Sequence, residues 1–568
     1  MFNRKKKIQI KNRLTGLVST ILLILLILNF RLYYVQKKYS TREIGGVKGN
    51  HKQYEKVSEN NYLLLDRNGI NLFDYDIKYN VVFDSMAFRL NNLNNNMHNI
   101  ITLNYIMQSE DKTFNLDSIV KSRGKIYYEV SEKVFKEIES LNGIKGVYTY
   151  KSQEKKDNYT GKIENIISSD KKSQDKKNDE GKVETINVDK EKDSLEVLIR
   201  NELIENKNPK IKFERNHEGV YEEGEYVDYE KNLNVRLTLD KNLQNIVREV
   251  LGREDYKSFD NIGVVLVDSL SGEVLSLAQK NEWEKNIVLG EGEKGYEPGS
   301  IFKILTLELA MEKKNINLSD EFTCTSKICK PEKTHGTLSV RKAFELSCND
   351  IFYEIVNGIS EKEFIEFARN QGVFSSVLGI DSDSEGSGFV NIEGENTKKD
   401  KGKNKLDNYA KLINLAIGQS MQTNLMQMAG IISPVVNGGE YVKPSILKGF
   451  ENQEGIMVKK LKDVRKEVIS KETANEVKSA MISTVEKGTS MITKLDGVEI
   501  GAKTGTAEAS RDELHGWFLG YFKYKDRYYT LGVMVPNIKR LDRGGVKPAG
   551  GNTAGPIFRD IVLEITKN

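Results

Sequence analysis

Cysteine is scarce in this chain. Only three cysteines, Cys324, Cys329 and Cys348, occur among 568 residues, which is too few for a disulfide-stapled scaffold. They also lack the paired C-x-x-C spacing that is typical of zinc sites. Free buried thiols are therefore the favoured interpretation, although Cys324 and Cys329 are close enough in sequence to pair in an oxidising compartment. Zinc binding by these cysteines together with His335 is the less favoured alternative.

An excess of charge of either sign is also absent. The 86 basic and 82 acidic residues give a formal net charge of +4 at pH 7. A nucleic-acid-binding protein carries a clustered excess of lysine and arginine, so the composition argues against that class. The length of 568 residues exceeds that of one ordinary domain and predicts two or three folded units.

One long apolar segment lies near the N-terminus. The residues from Leu14 to Phe30 carry no charge and have the length of a short transmembrane span. Residues 1–13 hold six basic side chains, so the positive-inside rule leaves this tail in the cytoplasm. A cleaved signal peptide is the alternative, but no small-x-small cleavage site follows the apolar segment. We therefore expect an uncleaved anchor over residues 14–35 and an extracytoplasmic location for the rest.

Composition divides the remainder of the chain. Residues 36–150 alternate short apolar runs with polar turns, which indicates a mixed α+β module. Residues 151–193 consist mainly of Lys, Glu, Asp, Asn and Ser, which predicts a disordered insertion that catalysis does not need. Residues 194–232 are assigned to the rest of the module or to a connector. Over residues 233–568, strands followed by helices and again by strands predict an antiparallel sheet backed by helices.

A serine and a lysine lie three residues apart where an apolar helix is predicted to begin. Pro298 and Gly299 precede Ser300, and apolar residues recur at helical spacing after it. Residues at i and i+3 share a helix face, so the Ser300 hydroxyl and the Lys303 amine are expected to meet. A partly buried lysine of lowered pKa can take the proton of a serine nucleophile. Alone, however, the S-x-x-K pattern is weak, because chance matches occur in most long chains.

Two further short motifs follow. Residues 347–349 (S-C-N) lie between apolar residues, where Ser347 and Asn349 both need hydrogen-bond partners, and a helix-capping serine is the alternative. Residues 503–506 (K-T-G-T) suit an edge strand that binds a peptide carboxylate, with Gly505 allowing close approach of the ligand. A simple strand and turn is the alternative for this second motif.

In the order S-x-x-K, S-x-N and K-T-G, the three motifs resemble those of penicillin-binding proteins and serine β-lactamases. The segments LTLDKNLQ, AIGQSMQTNLMQMAGIISPVVNGG and AGPIF extend the resemblance to a transpeptidase domain over residues 233–568. The segment NYLLLDRNGI resembles the start of the pedestal (dimerisation-type) module of class B penicillin-binding proteins, which identifies residues 36–150 with that module. The motif SEDKTF at residues 109–114 resembles one of peptidoglycan glycosyltransferases, but it lacks the rest of that signature and is interpreted as coincidence.

The resemblance implies a β-lactamase-like fold and acyl transfer on peptidoglycan. Ser300 is implied to attack the D-alanyl-D-alanine end of a stem peptide, with Lys303 as its base. Ser347 is implied to relay a proton, Asn349 to bind the substrate amide and Lys303, and Lys503 to keep the pocket electropositive. Substrate binding is implied for Thr504, Gly505 and Thr506. The backbone N–H groups of Ser300 and Thr506 are implied to form an oxyanion hole.

The same resemblance implies the partners. They are peptidoglycan stem peptides, β-lactams, the cytoplasmic membrane and a membrane glycosyltransferase of the elongation, division or sporulation machinery. Neither a metal nor an organic cofactor is implied, and nucleic acid is not a partner.

Two other functions share these motifs. A membrane-anchored β-lactamase needs a base that activates water against the acyl-enzyme, and the sequence position of Glu297 does not by itself place it over the ester. A catalytically inactive scaffold or penicillin sensor uses the same fold, but all three motifs are intact here. The sensor form also carries a protease module, and the chain contains no H-E-x-x-H motif. The sequence therefore favours a transpeptidase.

Overall fold

The structure is a computed structural model that describes residues 21–33, 52–92, 97–141, 144–156, 159–177, 182–215, 221, 223–227, 229–292, 295–329, 334–390, 405–510, 512–540 and 547–567. Contacts within the chain divide it into two compact units. Unit 1 comprises Met1–Asn61, Tyr75–Lys155 and Lys207–Tyr229, and unit 2 comprises Tyr62–Asp74, Lys156–Asn206 and Glu230–Asn568.

The predicted membrane anchor is described only in part. Residues 21–33 form helix α1. Residues 14–20 and 34–35 of the anchor, and the predicted cytoplasmic tail over residues 1–13, lie outside the described part of the chain. Among the helices that the structure does describe, none has both the length and the apolar character needed to cross a membrane.

Unit 1 contains two three-stranded antiparallel sheets, ordered β1-β8-β9 and β4-β3-β5. Its strands are β1 (Lys52–Lys56), β3 (Tyr75–Asp84), β4 (Lys125–Val130), β5 (Val147–Lys155), β8 (Lys210–Glu214) and β9 (Glu225–Val227). Its remaining helices are α2 (Ser85–Asn91), α3 (Met97–Glu110), α4 (Leu116–Lys121) and α5 (Glu132–Glu139). An aromatic core, in which Phe83 contacts Phe114 and Tyr128, packs these helices against the second sheet. Unit 1 thus has the mixed α+β character that the alternating apolar runs predict.

Unit 2 contains the remaining elements. Its strands are β2 (Leu64–Leu65), β6 (Lys171–Lys177), β7 (Val183–Asp189), β10 (Asn234–Leu237), β11 (Gly263–Asp268), β12 (Val274–Gln279), β13 (Glu321–Thr323), β14 (Thr337–Ser339), β15 (Phe389–Val390), β16 (Met421–Gln422), β17 (Glu440–Val442), β18 (Leu447–Glu451), β19 (Met457–Lys460), β20 (Arg465–Glu467), β21 (Ile500–Glu508), β22 (Glu513–Tyr524) and β23 (Arg527–Lys539). Its helices are α6 (Ile163–Ser168), α7 (Leu195–Glu202), α8 (Lys241–Leu251), α9 (Lys303–Lys314), α10 (Val340–Leu346), α11 (Asn349–Glu354), α12 (Glu361–Arg369), α13 (Lys405–Ile417), α14 (Leu425–Gly430), α15 (Ile432–Val436), α16 (Lys471–Lys487) and α17 (Gly550–Lys567).

A five-stranded sheet, ordered β12-β11-β23-β22-β21, is the centre of unit 2. All of its neighbouring strands are antiparallel, which confirms the predicted antiparallel sheet backed by helices. Helices α8 and α17 cover one face through a continuous apolar core, in which the rings of Phe518 and Phe558 lie 4.8 Å apart. Strand β21, which carries the K-T-G motif, is the last strand at one edge of the sheet.

Residues 62–74 belong to unit 2, whereas the sequence places them in the N-terminal module. Strand β2 pairs in parallel with β10, and the Asp66 carboxylate accepts the backbone N–H groups of Asn68 and Ile70 at 2.8 Å and of Lys241 at 3.1 Å. A two-residue strand has no periodicity of its own. Its assignment to unit 2 therefore depends on a partner strand that is remote in the sequence.

The tract over residues 151–193 is also different from its prediction. Strand β5 extends to Lys155, and α6, β6 and β7 follow, with residues 157–158 and 178–181 outside the described part. Ile163, Ile166 and Ile167 of α6 are buried. The charges find partners, because Lys172 lies 3.0 Å from the buried Asp381 carboxylate of unit 2. The prediction of disorder is wrong for the described residues, since average composition conceals both the isoleucines and these remote partners.

The ion pair between Lys190 and Glu196 tests whether this tract stabilises unit 2. Their side chains are 5% and 0% exposed, and Lys190 Nζ lies 2.6 Å from Glu196 Oε1 and 3.2 Å from the Ile166 carbonyl oxygen. Replacing Lys190 with methionine leaves a buried carboxylate without its cation and should lower the free energy of unfolding by about 3–5 kcal/mol.

Urea unfolding of the variant and the parent chain would measure this effect, with Lys192→Met at a neighbouring exposed lysine as the control. A loss below about 1 kcal/mol, the value of a solvated pair, would contradict the structure. These contacts show that the described residues of the tract belong to the folded structure of unit 2.

Candidate active site

Ser300 lies in a tight turn immediately before an apolar helix. The turn is a 3-10 helix over Gly299–Phe302, and α9 begins at Lys303, so Ser300 precedes the α-helix and is half-buried. Gly299 has a φ of +55°, and its N–H donates to the Gly418 carbonyl at 2.8 Å. A Cβ at Gly299 would lie 2.8 Å from the carbonyl oxygen of Thr506, so glycine is required where the turn packs on β21.

Lys303 is completely buried and is hydrogen-bonded by the S-x-N motif. Its Nζ donates to the Ser347 carbonyl oxygen at 2.8 Å, to Ser347 Oγ at 3.1 Å and to Asn349 Oδ1 at 2.6 Å. Burial lowers the pKa of Lys303 from 10.5 to about 7, because desolvation disfavours the ammonium form. A substantial fraction of the amine is therefore neutral at physiological pH, as a proton acceptor requires.

Ser347 is held in an unusual backbone conformation between two helices. It ends α10 with a φ of +57°, the left-handed region that non-glycine residues rarely adopt, and Cys348 then caps α11. Ser347 is therefore the C-terminal cap residue of α10, and its side chain does not cap the start of α11 as a helix-capping serine would. Its hydroxyl, however, lies 3.1 Å from Nζ of both Lys303 and Lys503, which places it between two amines. Such local strain is often found at functional sites.

Lys503 and its neighbours place the edge strand against this network. Lys503 is completely buried, and burial, with a further contribution from Lys303, lowers its pKa well below the ordinary value. Thr504 Oγ1 donates to Thr489 Oγ1 at 2.9 Å, and Thr506 Oγ1 accepts the Gly550 N–H at 3.0 Å. The K-T-G-T motif therefore combines two fixed hydroxyls with a buried amine on one edge strand.

Gly505 lies where the turn that carries Ser300 packs against β21. A Cβ at this position would lie 2.8 Å from the Pro298 carbonyl oxygen and 3.0 Å from Trp517 Cβ. Glycine therefore allows the nucleophile turn to pack closely against β21.

Ser300, Ser347, Asn349, Thr504 and Thr506 line one cleft with a volume of about 690 Å³. The structure thereby brings together residues from all three motifs, with Lys303 and Lys503 buried and hydrogen-bonded to Ser347. Residues that the sequence analysis did not assign also line the cleft, and they include Gln419, Thr489, Glu508 and Asn552. Gln419 lies in the segment AIGQS, and Asn552 lies in the segment AGGNTAGPIF. The glycines next to these two residues are the sequence feature that could indicate a site there.

Glu297 is the acidic residue nearest to Ser300 in the sequence. Its Oε1 accepts the Ser420 N–H at 3.0 Å, and burial raises the pKa of its carboxyl. It is not among the residues that line the cleft. This carboxylate is therefore hydrogen-bonded to the backbone of the loop that follows Gly418.

The comparison with known families agrees with this geometry. A family model described as the penicillin binding protein transpeptidase domain matches residues 262–563. The chain belongs to this family. Stage V sporulation protein D of Bacillus subtilis is 26% identical over 381 residues, covering 60% of this chain and 55% of that protein. Penicillin-binding protein PbpB of Mycolicibacterium smegmatis is 25% identical over 391 residues, covering 62% of this chain and 57% of that protein.

The chain spans about half the length of these curated relatives. Among solved structures, penicillin binding protein 2X from Streptococcus thermophilus is similar with a TM-score of 0.62 and 17% sequence identity, covering 91% of this chain and 80% of that one. At this identity the similarity establishes the fold alone.

Proposed function

We propose that this chain is a class B penicillin-binding protein that cross-links peptidoglycan stem peptides through an acyl-enzyme on Ser300. The observation that carries the proposal is the position of Ser347 Oγ, 3.1 Å from each of two fully buried lysine amines. Structural lysines are normally solvated or paired with carboxylates, whereas two amines of lowered pKa around one hydroxyl suit proton transfer.

In the acylation step, Ser300 Oγ forms a bond to the carbonyl carbon of the penultimate D-alanine. Its proton passes to neutral Lys303, which burial keeps available near pH 7. The bond to the terminal D-alanine then breaks, and the leaving amine takes a proton through Ser347 Oγ, which contacts Lys303 Nζ. The backbone N–H groups of Ser300 and Thr506 are assigned to stabilise the oxyanion.

Substrate binding is assigned to the two sides of the cleft. Asn349 binds the substrate amide with its side chain while its Oδ1 accepts from Lys303. On the opposite side, the hydroxyls of Thr504 and Thr506 receive the terminal carboxylate, and Lys503 keeps this side electropositive. An amine from a neighbouring stem peptide then attacks the acyl-enzyme, which forms the cross-link and regenerates the Ser300 hydroxyl.

The cellular setting is proposed from the sequence. An anchor over residues 14–35 would place both units outside the cytoplasmic membrane, where peptidoglycan is assembled. A membrane glycosyltransferase is the proposed partner, since the family model that matches residues 262–563 is a transpeptidase domain. Elongation, division and sporulation are all compatible settings, and a similar protein is named for stage V of sporulation.

The lifetime of the penicillin adduct separates this proposal from a β-lactamase. Both enzymes are acylated, but a hydrolase needs a base that directs water at the ester. Glu297 is engaged with the Ser420 N–H instead, and Glu508, which lines the cleft, is paired with Arg540 at 3.0 Å. We therefore expect the adduct to persist for many minutes to hours, and each tenfold slowing of hydrolysis corresponds to about 1.4 kcal/mol of absent transition-state stabilisation.

The measurement is a chase of protein labelled with fluorescent penicillin by an excess of unlabelled antibiotic. Loss of the label within seconds, with many turnovers, would support the β-lactamase instead. Release of D-alanine and formation of cross-linked dimers from glycan strands bearing pentapeptides would test transpeptidation directly. An unreactive Ser300 in a folded protein would favour the inactive scaffold.

A further inference from the structure

Three cysteines and a histidine converge beside the S-x-N motif. Each of Cys324, Cys329, His335 and Cys348 offers one ligand atom, and these four atoms lie within 4.8 Å of one another. Cys324 follows strand β13, His335 precedes strand β14, and Cys348 lies between Ser347 and Asn349. The cluster therefore links a two-stranded hairpin to the segment that binds Lys303.

The spacing of the sulfur atoms suits a shared metal ion. The Sγ atoms of Cys329 and Cys348 are 3.8 Å apart, and all three cysteines are free and buried. Thiolates about 2.3 Å from a tetrahedral zinc ion lie about 3.8 Å from each other. A disulfide would require a separation of about 2.0 Å. The pair is thus placed as two ligands of one ion.

The histidine provides an independent observation. His335 Nδ1 is buried and has no hydrogen-bond partner among the described residues. An unpaired imidazole nitrogen in the interior is costly, and coordination to a metal would satisfy it. We propose that Cys324, Cys329, His335 and Cys348 bind one zinc-class ion in a tetrahedral site.

The donor set specifies the class of ion. Three thiolates and one imidazole favour zinc or a similar thiophilic metal over magnesium and calcium, which prefer oxygen ligands. The Cys324 thiol donates to Asp350 Oδ2 at 3.3 Å, and this proton would be released when the thiolate binds the metal. Asp350 Oδ1 accepts the Ile328 N–H at 2.7 Å, so this carboxylate orients the ligand loop. Four protein ligands leave no open position, which indicates a structural ion and not a Lewis acid.

The position of Cys348 determines what such an ion would do. An ion bound to Cys348 holds the backbone on both sides, where the Ser347 carbonyl and the Asn349 side chain accept from Lys303 at 2.8 and 2.6 Å. The metal would therefore position the proton-transfer network at the wall of the cleft, which Cys329 and His335 also line. The sequence favours free thiols because it lacks C-x-x-C spacing, but metal ligands from separate segments need no such spacing.

Metal content provides a test that is independent of catalysis. Elemental analysis of the full chain, purified without chelator, should find close to one zinc ion per chain, and Cys329→Ser and His335→Gln should lose most of it. His98→Gln, at an exposed histidine of α3, is the matched control and should keep it. Cobalt exchanged into the parent chain should show the intense absorption of thiolate-to-metal charge transfer. The site would be overturned if metal-free parent protein took up no cobalt, or if mass spectrometry of the protein showed a disulfide.

The positioning role rests on the proposed function and needs a second readout. Removing the metal with a chelator should slow penicillin acylation by roughly tenfold or more, and added zinc should restore it. Circular dichroism would show that the protein stays folded. If one ion binds but its removal leaves acylation unchanged, the positioning role fails while the metal site stands. If Ser300 is never acylated, the proposed function fails and the metal content still decides the site.

Discussion

Replacing Ser300 with alanine should abolish covalent penicillin binding. Ser300 lies in the turn before α9, and it lines the cleft together with residues of the other two motifs. Without its Oγ no acyl-enzyme can form, whatever the state of Lys303, so the loss should be complete. Labelling the full chain with fluorescent penicillin and locating the adduct by mass spectrometry would measure it. The parent should carry one adduct on the peptide that contains Ser300.

A serine away from the cleft provides the control for this experiment. Ser271 lies in the hairpin turn between β11 and β12, and Ser271→Ala should be labelled at the rate of the parent. The thermal unfolding of Ser300→Ala should remain close to that of the parent, since the side chain is half-buried and small. An adduct on another residue, or labelling that survives in Ser300→Ala, would show that the nucleophile is assigned wrongly.

Replacing Lys303 with methionine should lower the rate of acylation by about 10²–10⁴-fold, the usual contribution of a general base. A reduction of 10³-fold corresponds to about 4 kcal/mol of transition-state stabilisation. Methionine retains much of the volume of the buried side chain but cannot accept a proton. It also leaves the acceptors on Ser347 and Asn349 without their donor, so binding and proton transfer are both affected.

The pH dependence of the parent chain distinguishes the base from a structural lysine. Burial lowers the pKa of Lys303 to about 7, and only the neutral amine accepts a proton. The acylation rate should therefore fall about tenfold per pH unit below this value and reach a plateau above it. In Lys303→Met this inflection should vanish, which loss of packing alone would not produce.

The matched control is Lys313→Met, which removes an exposed lysine from the same helix. It should retain both the rate and the inflection near neutral pH. A parent rate that keeps rising toward pH 10, the ordinary range of lysine, would contradict the assignment of Lys303 as a buried base.

The sequence alone predicted which motifs come together and where the regular elements of unit 2 lie. Ser300, Lys303, Ser347 and Lys503 occur in short motifs that the structure brings to one place, and β22, β23 and α17 follow from apolar runs of strand or helix length. The antiparallel sheet was predictable for the same reason, because apolar runs of strand length alternate with turns. These features are local, and local patterns survive in a linear chain.

Only the tertiary structure decided the features that depend on contacts between residues far apart in the sequence. Composition predicted disorder for the tract that contains Lys190, because the carboxylates and apolar surfaces that order it lie elsewhere in unit 2. The packing role of Gly505 also depends on a remote partner, since nothing in the sequence shows that the turn at Pro298 lies beside it. The four-ligand cluster around Cys348 has no sequence spacing that reveals it, because its geometry exists only after the hairpin β13–β14 packs beside the S-x-N segment. The lowered pKa of Lys303 likewise requires burial, which is a property of the packed molecule and not of the residue.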